Sequence, residues 1–107
     1  MPKPRELETA KFNLETSSIP WHELQRFFAS GLAIDVASQL DLVEVAYEFS
    51  VDNKALVAEW LASGLVGHVS DQQALNWFES NAEVWAVVVK PWVLVQDKPQ
   101  QSRAGSL

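Results

Sequence analysis

The run VVVKPWVLVQ, residues 87–96, restricts the fold of this chain more than any other segment. Together with the EVWA that precedes it, it is rich in β-branched and aromatic side chains, the composition of strand. Lys90-Pro91 breaks the run. Proline lacks the N–H that a central ladder uses, and it cannot adopt the positive φ of a two-residue type I′ hairpin. The expectation is therefore one long bent strand, or two short strands kinked at Lys90-Pro91, lying at a sheet edge or a bulge. Seven of the ten residues are Val, Leu or Trp, more apolar surface than one inner face of a small sheet absorbs. The Trp85 to Trp92 region is accordingly expected to serve in self-association, most simply as a homodimer, with complete burial under the chain's own helices as the competing reading.

Helical periods flank this strand system. In IPWHELQRFFASG, Pro20 suits a first helical position, Glu23 the electropositive first turn, and Gly31 the residue just past the end. Trp21, Leu24, Phe27 and Phe28 give helix 20–30 one aromatic side. Residues 5–14 carry a weaker helical pattern. Leu32, Ile34 and Val36 alternate with Ala33, Asp35 and Ala37, the period of a half-buried strand. LDLVEVAYEFSVD is ambiguous: Val43, Val45, Tyr47, Phe49 and Val51 alternate as a strand would, whereas Leu42, Val45, Ala46 and Phe49 form a helical stripe. Ser38 and Asp41 have the spacing of a capping box, and helix is the favoured reading of 41–51.

A helix is expected over 54–63, capped by Asp52 or Asn53, ended by Gly64, and carrying Val57, Trp60 and Leu61 on one face. LVGHVS reads as a short strand. Ser70 then caps a helix directing Ala74, Leu75 and Phe78 inward. The fold class is α+β, a small, mainly antiparallel sheet covered on one face by amphipathic helices. A single globular domain is expected over 6–96, between a flexible leader at 1–5 and a polar, disordered tail at 97–107.

A chain of 107 residues buries roughly 60–65% of its unfolded surface, enough for one hydrophobic core. Without cysteine it holds no disulfide or thiolate chemistry, which suits a reducing cytoplasm. No apolar run approaches the roughly 20 residues of a membrane-spanning helix, so no membrane partner is expected. The formal net charge is −6, and residues 6–98 hold 14 acids against five bases, a net −9. That field repels phosphate backbones, so no nucleic-acid partner is expected.

The titratable residues form no sharp constellation. His22 opens a helix beside Trp21, and His68 lies in a short strand three residues before Asp71, a spacing that matches no metal or triad motif. On a helix, Asp41, Glu44 and Glu48 share one face, as a proton-transfer or Mg²⁺ cluster would, and as any solvated face does. Asp35 lies within an apolar strand, where it faces either solvent or a covered pocket. The glycines are too scattered for a phosphate loop, and no serine sits in a nucleophile elbow. No cofactor, metal or catalytic residue is assigned. Trp21, Trp60 and Trp77 belong to helical core stripes, whereas Trp85 and Trp92 lie in the kinked strand.

The chain resembles the small bacterial family called domain of unknown function 2288. The resemblance runs through NLETSSIPWHELQRFFASG (13–31), LDLVEVA (40–46), WLASGLV (60–66) and WAVVVKPWVLVQ (85–96), in order across nearly all of 12–96. It implies one compact bacterial domain and brings no activity, ligand or catalytic residue with it. The function expected is a non-enzymatic protein–protein interaction or scaffold domain with an unknown protein partner. The alternative is a small enzyme or ligand-binding domain using Asp35, the Asp41, Glu44 and Glu48 acids, or His68.

Overall fold

The computed structural model describes residues 4–98, with side chains from Thr9 onward. Helix α1 (Pro4–Glu15) leads into strand β1 (Ser17–Pro20), a 3₁₀ turn (Trp21–Leu24) and the short helix α2 (Gln25–Ala29). Strand β2 (Ala33–Val36), helices α3 (Leu42–Ser50) and α4 (Lys54–Ser63), and strand β3 (Val66–His68) follow. Helix α5 (Asp71–Glu79) precedes strands β4 (Glu83–Val89) and β5 (Trp92–Asp97). Helix α1 takes in Pro4 and Arg5, and β5 reaches Asp97. Residues 1–3 of the expected leader (1–5) and 99–107 of the expected tail (97–107) lie outside the described residues.

The five strands form one sheet in the order β1-β4-β5-β2-β3. Only the β2–β5 pair is parallel, with Ala33 beside Val93 and Val36 beside Gln96; the other pairs are antiparallel. This is the mainly antiparallel α+β architecture expected. The VVVKPWVLVQ segment is placed differently. Val89 pairs with Trp92 across a two-residue turn, and β4 and β5 are interior strands rather than a bent edge. The Lys90–Pro91 peptide is cis, which puts proline at the third position of a type VI turn. Excluding the type I′ hairpin left this turn out. Within β5, every residue that pairs follows the proline, so the missing N–H falls outside the ladder.

Helices cover both faces, not one. On the first face Trp21, Leu24 and the α5 residues Ala74 and Trp77 pack on Ala33, Val84, Ala86, Val93 and Val95. On the second, Phe12 of α1 and Leu42, Val45 and Ala46 of α3 pack on Ile34, Val36, Val87, Val89 and Leu94. Strand β2 is therefore buried on both sides, with only Asp35 partly exposed. The tryptophans expected in the core are there: Trp21 and Trp77 are buried with ring centroids 5.0 Å apart, and Trp60 packs half-buried against the second cluster.

Local chemistry explains several boundaries. Residues 42–50 are helix, and Asp41 caps them by accepting from the Val43 N–H at 2.9 Å; Ser38 is not the cap. Asn53 caps α4 by accepting from Leu56 N–H, and Gly64 ends it at φ 80°, where an L side chain is strained. Ser70 caps α5 as expected. Helix α5 is rotated from its expected setting: Ala74 and Trp77 point inward, while Leu75 and Phe78 are 49% and 47% exposed. Burying Trp77 removes more apolar area from water than burying Leu75 would, and its Nε1–H then donates to Asp97 at 3.0 Å.

Candidate functional site

A cleft of ≈ 320 Å³ opens on the second face, near the β3 edge. Ile34 and Trp92 form its floor, His68 of β3 and Phe49 of α3 stand at its sides, and Val57, Ala58 and Leu61 of α4 form a wall. Its mouth carries Asp52 and Lys54, 3.8 Å apart and both highly exposed, an ion pair that holds little energy in water. The His68 ring meets Trp92 edge-on at 6.2 Å. The cleft therefore offers apolar contact area with a few polar groups at the rim, the general form of a binding site.

Helix α4 gives the cleft its unusual character. Its sequence, KALVAEWLAS, is apolar around most of its circumference, yet none of its residues is buried. Helices apolar all round are normally enclosed by other protein. Here Leu61 is 52% exposed, and Val51 just before the helix is 50% exposed.

The titratable candidates do not converge. Asp35 lies on the first face, opposite Gly67 on one side and Val95 on the other, away from the cleft. Burial, and secondarily the charge of Asp97, holds its carboxyl above the ordinary value of 3.8. The solvent-facing reading of Asp35 is thus only half correct. Asp41 is occupied as the α3 cap. Glu48, expected on a solvated face with Glu44, is only 9% exposed and accepts from Asn53 Nδ2 at 2.9 Å. His22 stacks on Phe78 at 4.3 Å with its Nε2 3.3 Å from the Phe78 carbonyl oxygen. Of these titratable candidates, only His68 lines the cleft. Among the described residues no three of His, Cys, Asp and Glu are placed to hold a metal, and no helix is long and apolar enough to cross a membrane.

The Trp85 to Trp92 region does not form one surface. Trp85 and Val88 are exposed, but successive strand residues put them on opposite faces of the sheet. The Trp85 ring is covered in part by Lys98, whose Nζ lies 4.9 Å from its centroid and which also donates to Ser18 Oγ. Trp92 reaches the cleft. Phe49, Val57 and Leu61 were not legible as site residues, because the cleft is assembled from five separate elements. The available signal was the nearly uniform apolarity of α4.

The fold and the cleft define a small α+β domain with an open apolar groove at one sheet edge. A model of the family described as "Protein of unknown function (DUF2288)" matches residues 8–97, and the chain belongs to that family of small bacterial proteins. It is similar to a protein solved by NMR in solution, PA1075 from Pseudomonas aeruginosa, at 38% identity. That match covers 98% of this chain and 97% of the other, with a TM-score of 0.77. No curated protein matches.

Proposed function

We propose that this domain is a non-enzymatic interaction module of the bacterial cytoplasm, and that it works through the cleft and the exposed side of α4. The observation that supports this reading is an apolar helix with no buried residue, standing beside an open apolar cleft. A protein partner that inserts an apolar side chain against Phe49, Val57 and Trp92 would cover both features. Self-association belongs to the same reading. Of the strand region expected to mediate it, the Trp92 end is the part that adjoins α4.

Site-specific photo-cross-linking in cells tests the proposal. A benzophenone amino acid at Leu61 should give discrete adducts, while the same probe at exposed Glu23, on the opposite face of the sheet, should give none. Equal labelling at both positions, or no adduct at Leu61, would reject the cleft as the working surface.

A further inference from the structure

Strand β3 is an edge strand whose outer side is open. Its register with β2 sets Ile34 opposite His68, Asp35 opposite Gly67 and Val36 opposite Val66. Just beyond the ends of β3, Val69 N–H donates to the Ala33 carbonyl and Ala37 N–H donates to the Leu65 carbonyl. In an antiparallel ladder, hydrogen-bonded and non-bonded pairs alternate, so Leu65, Gly67 and Val69 direct their backbone groups toward β2. Val66 and His68 direct theirs away from the sheet. No backbone or side-chain partner for those groups occurs among the described residues.

We infer that a second copy of this chain pairs with β3, antiparallel, about a two-fold axis at Gly67, joining two sheets into one of ten strands. The inference rests on the interaction reading above and names its partner. Under that symmetry Val66 of each copy lies opposite His68 of the other, a hydrogen-bonded pair that exchanges both N–H···O bonds. Gly67 faces its own counterpart across the axis, and a Cβ built there would meet nothing within 4 Å inside one copy, so the first face of the sheet is open above it. A two-fold axis perpendicular to the sheet also keeps both copies of α4 on the same face. Each exposed apolar helix then stands beside its equivalent, which supplies the enclosure that its composition calls for.

Charge selects the occupant. Copies of a chain with net charge −6 repel one another, and a basic partner would be drawn to its carboxylates. Residues 60–70, WLASGLVGHVS, span β3 and the end of α4 and contain no Asp, Glu, Lys or Arg, the longest such stretch in the chain. This edge is where like-charged copies approach at least cost and where a charged partner gains least. At the opposite sheet edge, β1 ends in Pro20, which has no N–H to offer. A closed two-fold contact of this kind pairs both copies of the β3 edge and does not propagate into fibres.

Sedimentation of the full chain at about 100 μM, together with amide hydrogen exchange, tests the inference. The wild type should sediment as a dimer. The Val66 and His68 amides should exchange roughly tenfold more slowly at high than at low protein concentration, while the Gly67 amide, bonded within the chain, should not change. His68→Pro deletes an outward N–H where an edge strand tolerates proline, and Leu61→Glu charges the exposed side of α4. Each should give a monomer with wild-type far-UV circular dichroism. A monomeric wild type with concentration-independent exchange at Val66 and His68 would overturn the inference. So would a dimer that persists in both variants. If Leu61 still cross-links to another protein in either case, the interaction reading stands and only the second copy is wrong; no adduct of any kind removes both.

Discussion

Asp35 is the residue at which the fold works against itself. Its carboxylate is held in a strand buried on both faces, and burial followed by the Asp97 charge raises its proton affinity above that of the unfolded chain. The native state then binds the proton more tightly than the unfolded state does. The associated stabilisation is fully present below pH 3.8 and is lost as pH rises through the raised native value, so at neutral pH the ionised form weakens the fold. Asp35→Asn should raise the urea midpoint at pH 7 with an unchanged slope, and this advantage should shrink toward zero well below pH 3.8, where the carboxyl is protonated in the native and the unfolded chain alike. An equal advantage at both pH values would assign the effect to packing. Trp77→Phe should act in the opposite direction. It deletes the donor to Asp97, a hydrogen bond to a charged acceptor worth about 1.5–3 kcal/mol, and urea unfolding should read a loss of that order.

The helices expose a difference between features written into a few adjacent residues and features made by distant ones. Asn53 illustrates the first kind, because one side chain both caps α4 and donates to the buried Glu48. Asn53→Ala should cost about 1–2 kcal/mol in chemical denaturation, chiefly from the lost cap. Gly64→Ala should cost about 1 kcal/mol because φ is 80° there, whereas Gly67→Ala, in open space and with no positive φ, should leave the monomer's stability nearly unchanged. Such caps and helix ends were legible in the sequence, as were α3, α4 and α5, because their signals lie within four residues. Strand β1 was not. Ser17–Pro20 is four residues long and ends in proline, and its strand character comes from lying beside Val84 and Trp85 of β4, some 65 residues away. The β4–β5 turn was missed for a different reason, since nothing in the residue types of Lys90 and Pro91 specifies a cis bond. Of the candidate site, His68 was legible as a polar residue in a short strand, but its neighbour Trp92 comes from a strand 24 residues further on.

At the scale of the whole molecule, the net charge of −6 opposes the pairing of two copies, and the neutral edge at 60–70 does not abolish that long-range term. Raising the salt concentration from about 20 to about 300 mM shortens the screening length from about 20 Å to about 6 Å. The dimer dissociation constant measured by sedimentation should therefore fall several-fold over that range, and a rise would point to an interface held by attractive ion pairs. The strand order has a further consequence, one that concerns the birth of the protein. Strand β5 joins the β1–β4 pair to the β2–β3 pair, and it is the last described strand to be synthesised. Until it emerges from the ribosome, the nascent chain can form only two separate two-stranded ribbons, each marginal by itself. Closure of the sheet must then bring Ala33 beside Val93, sixty positions later in the chain, a contact that rewards the chain only when translation of the domain is nearly complete.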